Sequence, residues 1–429
     1  MNAQDFAKEL LAFIDQSPSP WHAAATTCQH LAKAGFQQLS EDAPWDLQLG
    51  AGYYVVRDDS SVIAFRLGSA TPTMSGFRII GAHTDSPGLR LKPCPTKHNQ
   101  EWCTLGVEVY GGPILATFTD RDLSLAGRVA YRNADHISSA LIKFDEPLVR
   151  IPNLAIHLNR SVNEDGLKLN PQTEMPMILS LANDGDREPV KRLVAERLNI
   201  DPEAILAWEL AVYDTQPGTL WGPNNEFLAN SQLDNLAMCH AALEALIDAD
   251  SSDATQVIAL FDHEEVGSGS DKGADGNFLR DVLNRIVSTL DSSAQAPHQA
   301  IAKSIMLSAD MAHAWHPNYP DKHDSEHRPI INQGPVIKIN HNQRYTTDAM
   351  TEALFVALCE DNKIPYQKFV NRTDLSCGST IGPMTAASLG VPSLDVGSPQ
   401  WAMHSIRECA GVHDHLWMKQ AMTAFLNSL

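Results

Sequence analysis

The sequence has no excess of basic residues and no run of like charges, and these absences exclude nucleic acid as a partner. Its 429 residues include 32 Lys and Arg against 52 Asp and Glu, giving a formal net charge of −20. A protein that binds nucleic acid presents a basic face to the phosphates. The acidic residues are therefore expected to be spread over the surface, where they favour solubility.

Paired cysteine motifs and long apolar runs are also missing. The seven cysteines contain no C-x-x-C pair, and such an odd count is typical of reduced thiols rather than of a disulfide framework. The first ten residues carry charges where a signal peptide has an apolar core. No apolar run approaches the ~20 residues that span a bilayer. We therefore expect a cytoplasmic protein with no membrane partner.

The chain does contain a regular alternation of strand and helix patterns after residue 230. This alternation predicts an α/β fold with helices on both faces of a sheet. A helix pair, a hairpin and a buried strand are predicted before residue 92. The predicted helices are 233–247, 278–290, 348–360, 383–388 and one from 412, and the predicted strands are 53–57, 62–67, 77–82, 256–261, 304–307, 336–339, 366–371 and 393–396.

The pattern of predicted secondary structure changes between residues 93 and 230. Runs 105–110, 127–131 and 154–158 read as short strands separated by Gly and Pro turns, with one helix over 190–198. A chain of this length usually forms more than one domain. We predict one domain built from residues 1–92 and 231–429, interrupted by an inserted β-rich domain over 93–230.

Five side chains of metal-ligand type follow apolar strands or open helices. Each alone is more often a turn former, a helix-start acid or a packed imidazole. Together, two histidines and three carboxylates form a mixed nitrogen and oxygen set that suits zinc, cobalt or manganese. With one carboxylate bridging, five ligands suffice for two metals ~3.5–4 Å apart. The five are His83, Asp234, Glu265, Asp310 and His404.

Glu264 and Glu265 stand side by side after the apolar run 257–261. Two acids at a strand end are usually solvated surface residues. Neighbouring residues at such an end point in different directions, however, so one carboxylate can bind metal while the other acts as general base on a water. Asp85, two residues after His83, is placed to accept the second imidazole N–H of that histidine.

Six motifs, five of which include these residues, occur in order along nearly the whole chain. They are 81–88 (GAHTDSPG), 233–235 (LDN), 262–268 (DHEEVGS), 308–313 (SADMAH), 378–383 (GSTIGP) and 403–408 (MHSIRE). In these motifs the sequence resembles the M18 metallo-aminopeptidases, the aspartyl aminopeptidases. The resemblance implies a mixed-sheet zinc-peptidase domain interrupted by a dimerisation domain, and assembly from dimers into a tetrahedral dodecamer.

The resemblance also implies how the ligands divide between two metals. His83, Asp234 and Asp310 would hold one metal, and Asp234, Glu265 and His404 the other, so that Asp234 bridges. The metals would be two divalent ions, zinc first, with cobalt or manganese also suited.

Catalytic and substrate roles follow from the same resemblance. Glu264 would be the general base and Asp85 the residue that orients His83, in an enzyme that removes N-terminal Asp or Glu from peptides with a free N-terminus. Lys338 would read the acidic side chain, although a lysine on a strand face is usually exposed to water. The implied substrate-binding residues are His157, which would reach the neighbouring subunit, His313, Lys338, Tyr345 and Gly378.

Two other functions share most of this pattern. A related two-metal deacylase or carboxypeptidase would keep the metal ligands but lack the set His313, Lys338 and Tyr345. A catalytically vestigial scaffold would have no need of Glu264 beside a ligand. His413 and His415, near the start of the last helix, are expected to be solvated caps rather than metal ligands.

Overall fold

A nine-stranded mixed sheet organises the computed structural model, which describes residues 2–182 and 186–428. The strands are numbered along the chain, and neighbours in the sheet run both parallel and antiparallel. In spatial order they are β1 (Gln37–Gln38), β2 (Gly52–Arg57), β3 (Ser61–Arg66), β13 (Thr255–Phe261), β4 (Phe77–His83), β14 (Ile305–Ala309), β18 (Ser393–Gly397), β16 (Val336–Lys338) and β17 (Gln367–Phe369). The predicted mixed α/β sheet is confirmed.

The helices of the described residues include the long ones expected from the sequence periodicity. None of them combines the length and apolarity needed to cross a membrane. They are α1 (Ala3–Asp15), α2 (Pro20–Lys33), α3 (Pro72–Ser75), α4 (Val162–Asp165), α5 (Pro189–Leu198), α6 (Leu233–Asp248), α7 (Phe278–Leu290), α8 (Ala296–Ala302), α9 (Ala349–Asp361), α10 (Ile381–Leu389) and α11 (Val412–Leu426). Short 3₁₀ helices lie at Leu115–Phe118, Ile156–Leu158, Pro202–Ala204, Glu264–Val266 and Pro320–Lys322.

Apolar cores cover both faces of the central sheet. Successive side chains of a strand point to opposite faces, and β4 shows the consequence. Ile79 packs in a core with α7, whereas Ile80 packs in the opposite core with α6 and α11. The helices on both faces leave the ends of the strands free to carry polar residues.

A second sheet of six antiparallel strands forms most of the predicted insert. In spatial order it contains β8 (His136–Lys143), β7 (Leu123–Asn133), β10 (Ile205–Asp214), β5 (Gly88–Asn99), β6 (Trp102–Tyr110) and β9 (Met177–Leu181). It starts at Gly88, five residues before the predicted boundary. The exact domain limits, 92/93 and 230/231, stay a prediction.

A third, smaller sheet joins the end of the predicted insert to the C-terminal part of the chain. Its order is β11 (Thr219–Trp221), β12 (Phe227–Asn230), β20 (Glu408–Gly411), β19 (Pro399–Trp401) and β15 (Ala312–His313). These strands are two to four residues long, and sequence periodicity did not identify them.

The strand predicted over 154–158 is wrong. This segment contains the 3₁₀ helix Ile156–Leu158, and the side chains of Leu154, Ile156 and Leu158 are 61%, 47% and 74% exposed. No described strand pairs with it. The segment therefore lacks the inter-strand hydrogen bonds that a strand requires, and no second layer covers its apolar side chains.

Candidate metal centre and active site

Three neighbouring parallel strands bring four of the predicted site residues to one edge of the central sheet. His83 ends β4, Glu264 and Glu265 follow β13, and Asp310 follows β14. Because β4 lies between β13 and β14 and is parallel to both, the carboxyl ends of the three strands meet. Ligands of α/β sheets bind at such an edge.

The other two ligand candidates reach this edge from elsewhere in the chain. Asp234 lies in the first turn of α6, where its backbone departs from helical values and a cis peptide joins it to Asn235. The Asn235 side chain donates a 2.9 Å hydrogen bond to the carbonyl of Ala309, which ties this turn to β14. His404 lies in the turn between β19 and β20. The structure thus brings all five predicted ligands together.

The distances between these donor atoms fit metal coordination. Nε2 of His83 lies 3.5 Å from Asp234 Oδ1 and 3.7 Å from Asp310 Oδ1. Nε2 of His404 lies 3.4 Å from both Asp234 Oδ2 and Glu265 Oε1. Two atoms each bonded at ~2.0–2.2 Å to a tetrahedral zinc lie ~3.3–3.6 Å apart.

Each oxygen of Asp234 faces a different histidine, Oδ1 toward His83 and Oδ2 toward His404. Its buried Oδ1 receives no hydrogen bond from the described part of the chain. In two groups of three side chains the ligand atoms lie within 4.8 Å of one another, and both groups include His83. The groups are His83 with Asp234 and Glu265, and His83 with Glu264 and Asp310. An imidazole Nε2 has one lone pair, however, so a shared ligand has to be a carboxylate. Asp234 is the residue that can bridge.

Backbone carbonyls set the tautomers of both histidines. Nδ1 of His83 lies 3.0 Å from the carbonyl oxygen of Asp85, and Nδ1 of His404 lies 3.1 Å from that of Gly112. Each Nδ1 therefore carries the proton and donates it, which leaves the Nε2 lone pair directed into the site. The carboxylate of Asp85 is farther from His83, at 3.4 Å, than its carbonyl is.

The Asp85 carboxylate holds the glutamate pair in place. It accepts hydrogen bonds from the backbone N–H groups of Glu264 and Glu265, both at 3.1 Å, and from the Tyr110 hydroxyl at 2.8 Å. Burial opposes its ionisation, but its contacts with His83 and these donors outweigh burial and lower the pKa of Asp85. Tyr110, on strand β6 of the inserted sheet, was missed from sequence because no motif links it to Asp85.

The crowded carboxylates of the site have pKa values that are shifted in opposite directions. Burial, with the charges of Asp310 and Asp234, raises the pKa of Glu264 to about 7 despite nearby His83. The pKa of Glu265 is also raised, first by burial. For Asp234, the two histidines overcome burial and lower the pKa. A site with this many acids is complementary to cations.

The predicted substrate-binding residues differ in how far they are buried from solvent. Lys338 is buried, so the alternative of a water-exposed lysine is wrong. Its Nζ lies 3.5 Å from Asp310 Oδ2, donates to the Met311 carbonyl at 3.1 Å and stands 5.1 Å from the Tyr345 ring centre. Part of His313 is accessible to solvent. The protein atoms around the rest of its side chain bury the imidazole, and this burial, together with the charge of Lys338, lowers the pKa of His313.

Gly378 and His157 are both exposed. A side chain added at Gly378 would meet nothing within 4 Å, so open space adjoins this loop. His157 lies in the 3₁₀ helix of the insert, and none of the described hydrogen bonds or ion pairs links it to the five ligands. Its predicted role in a neighbouring subunit stays a prediction.

The expectation that His415 is solvated is wrong. Its side chain is buried, with Nε2 2.9 Å from Nδ1 of His240 and its ring stacked on Phe6 at 4.7 Å. The cause is that α11 packs chiefly against α6 and α1. Burial lowers the pKa of His415 to about 3, so it is neutral. His413, two residues earlier, is exposed as expected.

This combination of a mixed α/β sheet and a histidine–carboxylate cluster is typical of metal-dependent hydrolases. The sequence model of the family described as "Aminopeptidase I zinc metalloprotease (M18)" matches residues 13–426. The chain is 49% identical over 429 residues to a "Probable M18 family aminopeptidase 2" of Ectopseudomonas mendocina (strain ymp), with 99% of each chain covered. The chain belongs to the M18 family, and it is a metallo-aminopeptidase.

Solved structures share the same architecture. One described as "Cryo-EM structure of the Ape4 and Nbr1 complex" matches with a TM-score of 0.96 and 38% identity, covering 99% of this chain and 86% of that one. A second, described as "Structure of S. cerevesiae mApe1 dodecamer", matches with a TM-score of 0.86 and 29% identity, covering 100% and 96%.

Replacing Asp234 by Asn tests whether it bridges. The amide lacks the charge and second acceptor oxygen that two cations require, so Asp234→Asn should lower the metal content from two ions per chain to one or none. Metal content is measured by elemental analysis after dialysis against buffered zinc. Asp395→Asn is the matched control, because Asp395 is a buried carboxylate whose oxygens are bonded to Thr346 and Thr380. Two ions retained in Asp234→Asn would contradict the bridging role.

Proposed function

We propose that the chain is a two-metal aminopeptidase that removes an N-terminal acidic residue, Asp or Glu, from peptides with a free N-terminus. The observation that carries this proposal is the placement of Asp234 between His83 and His404, with one oxygen toward each. Such a shared carboxylate is typical of two-metal hydrolases.

Two sets of residues would hold the ions. One is His83, Asp234 and Asp310, and the other is Asp234, Glu265 and His404. We propose zinc at both positions, with cobalt or manganese also suited to these ligands. When bound, such ions supply Lewis acidity, which lowers the pKa of a water and polarises the peptide carbonyl.

Glu264 performs the proton transfers. It lies beside the ligands, with Oε2 4.0 Å from Nε2 of His83, and its side chain is 12% exposed, so a water can reach it. Its carboxylate takes a proton from the attacking water and returns it to the amine that leaves. A raised pKa suits this exchange, because a base is most effective when its pKa lies near the working pH.

Acidic specificity depends on Lys338 and its neighbours. A buried ammonium is costly to keep charged without partners, and Asp310 pairs with its charge while the Met311 carbonyl is its one hydrogen-bond acceptor among the described residues. A further N–H of the ammonium can bind the side-chain carboxylate of a substrate. We propose that His313 and Tyr345 donate to the substrate or the developing oxyanion, and that the open backbone at Gly378 admits the peptide.

Assembly is part of this proposal. We propose that the insert pairs two chains and that dimers assemble into a dodecamer, as the similar structure described as a dodecamer supports. The exposed apolar side chains of Leu154, Ile156 and Leu158 suit burial in an interface. His157, between them, would then reach the site of the neighbouring subunit. We also propose a cytoplasmic location, supported by seven free cysteines.

Glu264→Gln tests the general base. The amide cannot accept a proton, so kcat should fall by ~10²–10⁴-fold while both metal ions are retained. In the wild type, activity should be present above the pKa of Glu264 and lost as the pH falls through it, at or below about 7 because bound cations favour the ionised form. The residual activity of the variant should lack this acid limb. An unchanged acid limb would assign the proton transfer to another group.

Lys338→Ala tests the specificity. The assay compares release of the first residue from H-Asp-Ala, H-Glu-Ala, H-Leu-Ala and N-acetyl-Asp-Ala, with metal content measured in parallel. The wild type should release only Asp and Glu and should need the free amine, and Lys338→Ala should lose ~1.5–3 kcal/mol of transition-state binding for these substrates. Lys368→Ala is the control, since Lys368 lies on the adjacent strand, paired to Glu352 at the surface.

Three results would contradict parts of this proposal. Release of Leu by the wild type would overturn the role of Lys338 while keeping the aminopeptidase. Cleavage of the acetylated peptide would favour a deacylase or carboxypeptidase. Full metal loading without any release would favour a vestigial scaffold.

A further inference from the structure

A buried carboxylate outside the ligand set touches two of the ligands at once. The side chain of Glu408, 2% exposed, directs its two oxygens at two separate chain segments. Oε2 accepts the backbone N–H of Asp234 at 2.9 Å, and Oε1 accepts that of His404 at 2.7 Å. One side chain thus spans both loops that complete the metal centre.

The third sheet explains how Glu408 reaches both loops. Strand β20 lies between β12 and β19, and Glu408 pairs with Asn230 while the next residue, Cys409, pairs with Trp401. From Asn230 the chain runs four residues to Asp234, and from Trp401 it runs three residues to His404. Glu408 therefore sits where the two loops diverge from their strands.

Both segments need such support, because the backbones of Asp234 and His404 depart from regular helix and strand geometry. Asp234 has φ −83° and ψ 102° within the first turn of a helix, and His404 has φ +67°, a left-handed value that is unfavourable for a non-glycine residue. Neither N–H belongs to a helix or strand ladder, and Glu408 is the acceptor for each.

We infer that Glu408 is a positioning residue that fixes Asp234 and His404 for metal binding. The inference rests on the proposed two-metal centre, in which Asp234 bridges and His404 belongs to one ion. A carboxyl group suits this position, because each of its two oxygens can accept a hydrogen bond. A ligand held in advance loses less conformational entropy when the metal binds.

Two variants test separately the two acceptor oxygens and the length of the Glu408 side chain. In Glu408→Gln one oxygen becomes an NH₂ group, which faces a backbone N–H donor and cannot accept from it. In Glu408→Asp both acceptors remain, but the side chain is shorter by one methylene and cannot reach both loops. Each variant should lower zinc affinity by ~10–100-fold, as loss of a residue that orients metal ligands typically does.

Asp414→Asn is the matched control. Asp414 is also a buried carboxylate with two backbone donors, Asn332 N–H at 2.6 Å and Gly334 N–H at 2.8 Å, but these lie in a loop without metal ligands. It should lose thermal stability as the Glu408 variants do, yet bind zinc with wild-type affinity.

Zinc affinity is measured on the full-length chain by competition with a chromophoric chelator, together with the melting temperature of the metal-free protein. Weaker zinc binding in the Glu408 variants, beyond any change in Asp414→Asn, supports the inference. If Glu408→Gln does not fold, Glu408→Asp decides on the same readout. Wild-type zinc affinity in either folded Glu408 variant overturns this inference but leaves the proposed metal centre in place. A wild type that binds no zinc overturns the proposed metal centre, and this inference with it.

Discussion

The confinement of carboxylates at one edge of the central sheet is the constraint on which the rest of the structure depends. Asp85, Asp234, Glu264, Glu265 and Asp310 all lie within a small, largely buried volume. Burial raises the pKa values of Glu264 and Glu265, and the neighbouring carboxylates raise them further, because like charges so close disfavour ionisation. Cations relieve this repulsion directly, so the same crowding favours the binding of a metal ion.

Three sheets contribute to holding this cluster. The central sheet supplies His83, Asp310 and the glutamate pair from its strand ends, whereas the third sheet supplies His404 and Glu408. The inserted sheet reaches the site through the Tyr110 hydroxyl, bonded to Asp85. Two buried carboxylates, Asp85 and Glu408, use backbone N–H groups to fix two site residues each. Packing of the insert is therefore linked to the geometry of the candidate metal centre.

Much of this could be predicted from sequence where the signal is local. The helix 278–290 was predicted with its observed bounds because its apolar periodicity is strong. The segment 154–158 was predicted wrongly because apolar residues there face outward in the single chain. His415 is buried by helices distant in sequence, and the third sheet consists of strands too short to show a period. The five ligands could be listed from motifs, but the contacts of Tyr110 and Glu408 depend on tertiary structure alone.

The most direct test of the central claim is anomalous diffraction at the zinc edge from crystals of the zinc-loaded protein. We expect two anomalous peaks ~3.5–4 Å apart, one on each side of the Asp234 carboxylate, the first beside His83 and the second beside His404. A single peak, or two peaks that do not share Asp234, would contradict the account.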